Sequence, residues 1–459
     1  MSGSMQELRG KKVTVVGLGR AGTAAASYLV RRGCHVVVTD TRSKEELREV
    51  VDGLPEGIVY ELGGHCVESF RGADLVVVSP GVPEIPELRL AREAGVRVVD
   101  EVQLAAWALE GQLVGITGTN GKSTTTVLLG EMLQALDRPL YVGGNLGTPL
   151  IKAVQSSAAS RDGLVVAELS SFQLGRSPTI APYFAVLLNI AEDHLDRHAD
   201  MEEYIEAKAM IFRNQPSTGW ALVNGDDEEC LRLGKRSCAQ LLTFRDGEEV
   251  EAGGFIHEDE LVIRIPERAE MRIPSQEVAL SGRHNLSNAL VASIVAASFG
   301  VDEMNIRAVL KRFQGLPHRM QRVGRCGGVV FFNDSKATNV SSAVGSLSGL
   351  QGRFVVIAGG KHKGSSYAPL REVLSSRGEA LVLIGEAAEV MERELKDAAQ
   401  VLRVADMSRA VSEAWKLARN EASVVLCPAC SSYDMYENYE RRGEDFTREV
   451  QRLIEEERC

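Results

Sequence analysis

The run Leu113-Val114-Gly115-Ile116-Thr117-Gly118-Thr119-Asn120-Gly121-Lys122-Ser123-Thr124-Thr125-Thr126 decides how this chain folds. It reads as a short apolar strand, a glycine-rich turn and the opening of a helix, with a lysine at the turn. Glycines let backbone N–H groups curl around an anion, and a helix N-terminus adds partial positive charge. Lys122 can reach the terminal phosphates of a nucleotide, and Ser123 has the hydroxyl that such loops offer to Mg2+. The general pattern G-x-x-x-x-G-K-[ST] lacks its first glycine here, where Ile116 stands. The competing reading is a glycine turn with an exposed lysine. Strand, turn and helix all fall where phosphate binding needs them, so a nucleoside-triphosphate site is expected on Gly118, Thr119, Asn120, Gly121, Lys122, Ser123 and Thr124.

Upstream, an apolar strand from Lys12 to Val16 leads into Gly17-Leu18-Gly19-Arg20-Ala21-Gly22 and an alanine-rich helix reaching about Arg32. A second strand, His35 to Thr39, ends at Asp40. Two more run from Ala73 to Val78, into Ser79-Pro80-Gly81, and from Val96 to Val99. G-x-G-x-x-G with an acidic residue about twenty positions on is the dinucleotide fingerprint, although the same turn serves any nucleotide diphosphate. Downstream, strands are expected at Leu164–Leu169, Phe184–Ile190 and Trp220–Val223, then a small antiparallel excursion from about Gly247 to Ile273 and a buried helix from Asn285 to Phe299. The last region places strands at Val329–Asn333, Phe354–Ala358, Ala380–Ile384, Val401–Val404 and Ser423–Leu426, with a helix over Ala410–Arg419. Continuous apolar strands alternating with helices argue parallel sheets covered on both faces. The expectation is an α/β chain of three domains: a Rossmann-like unit over 1–100, a central parallel-sheet mononucleotide-binding ATPase over 101–315, and a second Rossmann-like unit over 316–459.

The 459 residues exceed what one core accommodates, which suits about three domains. A net charge of −11 argues against a surface for nucleic-acid backbones. No apolar run approaches the ~20 residues needed to span a bilayer. The N-terminus lacks a basic segment followed by an apolar one, so a cytoplasmic protein is expected. Eight cysteines scattered over this length suit free thiols rather than a disulfide framework.

Polar clusters follow several strands. Glu168, at a strand end, can complete the oxygen shell of a nucleotide-borne Mg2+, or simply cap the next helix. In Asn189-Ile190-Ala191-Glu192-Asp193-His194-Leu195-Asp196-Arg197-His198, the two histidines sit at i, i+4. The H-E-x-x-H pattern is absent, so a second Mg2+ or the substrate suits His194 better than zinc. Lys208 lies on an amphipathic helix, and composition alone gives no reason to choose it. Asn333-Asp334-Ser335-Lys336-Ala337-Thr338-Asn339 and Gly359-Gly360-Lys361-His362-Lys363-Gly364 follow strands as polar ligand sites do. Cys427-Pro428-Ala429-Cys430 has C-x-x-C spacing, but it lacks a second pair and follows a late strand, so a structural role is expected.

Taken in order over the whole chain, these motifs resemble the Mur ligase family. The segment Gly118-Thr119-Asn120-Gly121-Lys122-Ser123-Thr124 is the family's form of the phosphate loop. Pro428-Ala429-Cys430-Ser431-Ser432-Tyr433-Asp434, followed by Glu440-Arg441-Arg442-Gly443-Glu444-Asp445-Phe446, resembles the members that add D-glutamate to UDP-N-acetylmuramoyl-L-alanine (UDP-MurNAc-L-Ala) in peptidoglycan precursor synthesis. Asp40-Thr41-Arg42 and Ser79-Pro80-Gly81 look like their uridine-site motifs. The resemblance implies a monomeric enzyme consuming ATP and Mg2+, with Gly19, Arg20, Asp40, Thr41, Arg42, Ser79, Gly81 and Asn145 on the UDP substrate. Asn285, Asn288, Arg319 and Asp334 would complete the ATP site. Ser123, Glu168, His194 and a CO2-derived carbamate on Lys208 would hold metal, and Lys122, His194 and Lys208 would serve catalysis. Lys336, Thr338, Lys363, Ser432, Tyr433 and Tyr439 match positions that hold D-glutamate.

Departures from the family pattern fall at Ala21, where a hydroxyl is usual, at Tyr433, at Cys427 and at the pair Lys361-His362. The competing readings are a ligase for another amino acid, a folylpolyglutamate synthase, a nucleotide-binding regulator or NAD-dependent oxidoreductase using the first domain, and a non-catalytic scaffold.

Overall fold

The computed structural model describes residues 8–193, 197–280, 282–418 and 422–459. Among them the strands form three sheets. The first contains β1 (Lys12–Val16), β2 (His35–Asp40), β3 (Ile58–Leu62), β4 (Leu75–Val78) and β5 (Arg97–Val99), in the order β3-β2-β1-β4-β5. All its pairings are parallel. The order runs one way from β1 through β2 and the other way through β4, which makes the carboxyl end of β1 a topological switch point.

The second sheet contains β6 (Gln112–Thr117), β7 (Leu140–Gly144), β8 (Leu164–Glu168), β9 (Phe184–Leu187), β10 (Trp220–Asn224), β11 (Gln240–Asp246), β12 (Gly253–His257), β13 (Glu260–Arg264) and β14 (Met271–Pro274). Its order is β14-β13-β12-β11-β10-β9-β6-β8-β7. The strand carrying the phosphate loop is thus interior, flanked by β8 and β9. Burial on both faces explains why these strands read as unbroken apolar runs. The antiparallel excursion exists as β12–β14, and parallel pairing of β12 with β11 joins it to the main sheet. β9 stops at Leu187 rather than Ile190, because Asn189 turns aside to bond the phosphate loop. The apolar helix spans Arg283–Ser298 and is buried at every residue from Asn288 to Ala297.

The third sheet contains β15 (Gln321–Cys326), β16 (Val329–Asn333), β17 (Phe354–Gly359), β18 (Gly378–Ile384), β19 (Gln400–Arg403) and β20 (Ser423–Leu426), ordered β15-β16-β20-β17-β18-β19. Only β15 is antiparallel to its neighbour. The helix expected at Ala410–Arg419 spans Met407–Leu417, because the Asp406 side chain caps it by accepting from the Arg409 amide. Arg419 lies outside the described residues.

The chain divides into two compact units. One holds Met1–Ile190, Glu202–Pro274 and Ala289–Val309; the other holds Ala191–Met201, Ser275–Asn288 and Leu310–Cys459. The first two sheets therefore share a unit. Free thiols throughout were expected, and one pair departs from this: Cys326 and Cys459 are joined by a disulfide across a separation of 133 residues. The C-terminal residue folds back, its amide bonding the carbonyl of Ile454, and this brings its thiol to the end of β15. No helix among the described residues is long and apolar enough to cross a membrane.

Candidate active site

The expected UDP-site residues other than Asn145 lie at the end of β2 and on the segments that follow β1, β2 and β4 of the first sheet. Gly19 precedes the helix Arg20–Arg31 as its N-cap. Ser79, after β4, donates through its hydroxyl to the carbonyl of Gly17 at 2.7 Å. A Cβ at Gly22 would sit 1.9 Å from that same carbonyl oxygen, so only glycine fits there. Buried Asp40 accepts from the Leu18 amide at 2.7 Å, and from the Arg42 amide at 2.9 Å. The Arg42 guanidinium binds it twice more, at 3.0 and 2.8 Å. These bonds hold the Asp40 carboxyl below its ordinary range despite burial. A dinucleotide fold aims this acid at a ribose. Here the carboxylate is occupied in shaping the glycine loop, while Thr41, Arg42 and Gly81 are exposed around it.

In the second sheet, β6 runs into Gly118 and Gly121, with φ of +151° and +85°, and the helix Lys122–Leu133 starts immediately after. A Cβ on Gly118 would lie 2.9 Å from that of Leu188, which requires glycine at this close approach. The Lys122 ammonium folds over the loop and donates to the carbonyls of Gly118 and Thr119, each at 2.8 Å. Buried Lys208 donates to the same Gly118 carbonyl at 2.7 Å and lies 4.5 Å from the centre of the Tyr204 ring. Tyr204 in turn shares a hydrogen bond of 3.0 Å with the Thr119 hydroxyl. Two ammonium groups thus converge on one turn. Ser123 and Thr124 are buried at the start of the helix.

Asn189 clamps the loop from β9's extension. Its side-chain oxygen accepts from the Asn120 amide at 2.8 Å, and its NH2 donates to the Asn120 carbonyl at 3.1 Å. Asn189, at the head of the polar cluster quoted above, and Tyr204 were expected to play no role. A polar residue directly after a buried strand was the available signal for the first; nothing local marks the second. Glu168 is buried at the end of β8, in register beside Ile116. The Asn145 side-chain amide donates to it at 2.7 Å, so Asn145 orients this carboxylate. His194 lies outside the described residues.

The second unit gathers the remaining candidates. Asn288 donates to Asn285 at 3.3 Å. Arg319 sits between His318 and Met320, both left-handed with φ of +61° and +45°, a strained backbone of the kind that clusters at functional sites. Asp334 accepts from the Met320 amide at 3.1 Å, and burial pushes its carboxyl up to about 6. The Lys336 ammonium stacks 3.9 Å from the centre of the Tyr439 ring, and the Thr338 amide bonds the Lys336 carbonyl. Lys363 pairs with buried Asp193 at 3.2 Å, and Asn339 donates to Asp193 at 2.9 Å. Ser432 is buried, whereas Tyr433 is 70% exposed and so lines no packed wall. Cys427 and Cys430 are buried, and burial raises both thiols, Cys430 to about 11, which leaves them protonated and unreactive. Arg442, quoted in the C-terminal motif without a role, is fully buried. It donates to the carbonyls of Ser335, Cys430 and Ser431, joining the loops that carry the expected amino-acid ligands.

A phosphate loop on an interior parallel strand, closed by converging lysines, defines a nucleoside-triphosphate-dependent enzyme. Family models match in chain order: a MurD-like N-terminal domain over residues 11–100, the Mur ligase middle domain over 116–296, and the Mur ligase glutamate ligase domain over 318–430. The UDP-N-acetylmuramoylalanine--D-glutamate ligase of Acidobacterium capsulatum is 43% identical over 96% of both chains. That of Trichlorobacter lovleyi is 44% identical, covering 97% of this chain and 100% of the relative. Among solved structures, UDP-N-acetylmuramate-alanine ligase MurC of Thermotoga maritima superposes with a TM-score of 0.61 at 19% identity, covering 96% of this chain and 100% of its own. MurF ligase of Thermotoga maritima in complex with ADP gives 0.57 at 18% identity, covering 98% and 97%. The chain belongs to the Mur ligase family. It is an ATP-dependent amide ligase with the three-domain α/β fold that its motifs predict.

Proposed function

We propose that this enzyme joins D-glutamate to UDP-MurNAc-L-Ala, with conversion of ATP to ADP and phosphate, in peptidoglycan precursor synthesis. End-to-end similarity to ligases of that name supports the substrates. The observation that carries the chemistry is the convergence of Lys122 and Lys208 on the Gly118 turn. In the proposed reaction the substrate carboxylate attacks the γ-phosphate, so two anions must meet. Lys122 offsets that repulsion and the charge developing on the leaving ADP. The acyl phosphate is then attacked by the D-glutamate amine, and exclusion of water protects it.

The oxygen donors at the loop suit Mg2+. Ser123 lies in the first turn of the helix, and Glu168 ends the strand beside β6, a hard donor set that leaves positions for phosphate and water. When bound, the metal supplies charge stabilisation on the transferring phosphoryl group. The reading assigns His194 and a carbamate on Lys208 to a second ion. The carbamate forms when the neutral amine adds CO2 with loss of a proton. It also assigns Asn285, Asn288, Arg319 and Asp334 to ATP, and Gly19, Arg20, Asp40 to Arg42, Ser79, Gly81 and Asn145 to the UDP substrate. Lys336, Thr338, Lys363, Ser432, Tyr433 and Tyr439 are assigned to D-glutamate, on a monomer working in the cytoplasm.

The test is phosphate release with ATP and UDP-MurNAc-L-Ala, offering D-glutamate, L-glutamate, meso-diaminopimelate and L-lysine in turn. Turnover is expected with D-glutamate alone. Silence with D-glutamate and turnover with another amino acid would overturn the proposal.

A further inference from the structure

The loop bearing Lys363 is held by a relay of three side chains that no part of the ligase chemistry uses. β17 leaves its sheet through Gly359 and Gly360, with φ of +112° and +133°. A Cβ on Gly360 would lie 2.2 Å from the carbonyl oxygen of Ser431, so the loop and the Cys430–Ser432 segment touch backbone to backbone. The Lys361 amide donates to that Ser431 carbonyl at 2.9 Å. The chain then swings outward through Lys363 and Gly364 and returns at Tyr367, whose amide donates to Glu394 at 2.7 Å.

Tyr367 closes this excursion. Its hydroxyl shares a hydrogen bond of 2.8 Å with Nδ1 of His362 and another of 3.0 Å with Sγ of Cys430. The ring is 2% exposed, and burial raises its hydroxyl well above the usual phenol range. The Cys430 thiol is raised as well, so it and the Tyr367 hydroxyl meet as two protonated groups near neutral pH. One buried hydroxyl therefore ties the residue preceding Lys363 to the segment two residues before Ser432. Lysine is a point charge on a flexible four-carbon stem, so its backbone must be fixed for its ammonium to measure a substrate's length.

We infer that His362 and Tyr367 are positioning residues for the amino-acid substrate, holding the loop that carries Lys363 against the segment that carries Ser432 through Cys430. This rests on the D-glutamate reading above and deepens it. The pair Lys361-His362 was among the departures from the family pattern, and the relay gives that departure a physical role.

The experiment compares wild type with Tyr367→Phe, His362→Ala and His362→Asn. Phenylalanine keeps the ring and loses only the hydroxyl; asparagine keeps a hydrogen-bonding group close to the Nδ1 position. Tyr367→Phe and His362→Ala are expected to raise KM for D-glutamate about 5- to 20-fold. The kcat should stay within about two-fold and KM for ATP should not move, while His362→Asn recovers most of the loss. Amide hydrogen exchange over residues 361–367, read without substrate, should quicken in Tyr367→Phe. Unchanged exchange, or an unchanged KM for D-glutamate, overturns the inference, as does an equal rise in both KM values. If wild type ignores D-glutamate but uses another amino acid, the functional reading fails. The same exchange and KM criteria, applied to that amino acid, then decide the positioning role separately.

Discussion

The Lys208 ammonium donates to the carbonyl of Gly118 at 2.7 Å, joining residues ninety positions apart. A solvated-face lysine on composition is, in the fold, a buried amine at the turn of the phosphate loop. Its reach follows from packing of the helix Met201–Ala209, where Tyr204 and Lys208 are one turn apart and both bear on Gly118–Thr119.

Lys208→Ala is expected to lower kcat by about 100-fold or more, the scale of losing a positioned charge at a reacting phosphate. If the carbamate operates, added acetate or formate partly restores turnover, whereas Lys208→Arg stays inactive. Phosphate release measures both. Full activity in Lys208→Ala would remove this residue from the mechanism.

Asn189→Ala removes both side-chain bonds to Asn120. At about 1 kcal/mol net for each bond, kcat/KM for ATP should fall about 10- to 100-fold. KM for the amino acid should be unaltered, since the clamp touches only the nucleotide loop. A fall in apparent kcat with every KM unaltered would instead indicate general unfolding.

Stability should fall as pH rises from about 4 to about 8, through Asp100 and Glu101. Asp100 accepts from the Ser177 hydroxyl at 2.6 Å and the Gln103 amide at 3.1 Å, with Arg176 nearby; Glu101 accepts from the Ile151 amide at 2.8 Å and faces Tyr141. Burial raises their carboxyls to about 7 and about 8. The native state keeps protons that the unfolded chain releases near its ordinary carboxylate values. The contribution is therefore complete below about pH 4 and is lost as pH passes the folded values. Thermal unfolding from pH 5 to 9 should show this decline in wild type and a flatter profile in Glu101→Gln.

Reduction of Cys326–Cys459 should destabilise the C-terminal unit. The bond closes a loop of 133 residues, for which chain entropy gives an upper figure of about 5 kcal/mol. Thermal unfolding with and without dithiothreitol should differ in wild type and coincide in Cys459→Ser. Coincident curves in wild type would show that the cross-link adds nothing.

Interior strands were legible because burial on both faces writes a continuous apolar run, as in β6, β8 and β9. β3, β7, β11 and β15 were not: three of them are sheet edges, and interior β11 is exposed at Gln240, Leu241 and Asp246, whereas the edges β5 and β19 were read. The missed strands face solvent in part, carry polar residues such as those of Gln321–Cys326, and show no continuous apolar run. Phosphate-loop residues were legible for a related reason: glycine, lysine and hydroxyl stand adjacent in the chain.

The sequence by itself determined the class of fold, the nucleotide loop and the set of residues available for ligation, because these depend on local geometry and short spacing. Tertiary structure alone decided that Asp40 shapes its loop, that Asn189 closes on Asn120 and Lys208 on Gly118, and that Tyr367 joins His362 to Cys430. Those contacts join side chains from different strands and helices. Only the packing of the sheets brings them within hydrogen-bond range, where burial makes each partner costly to lose.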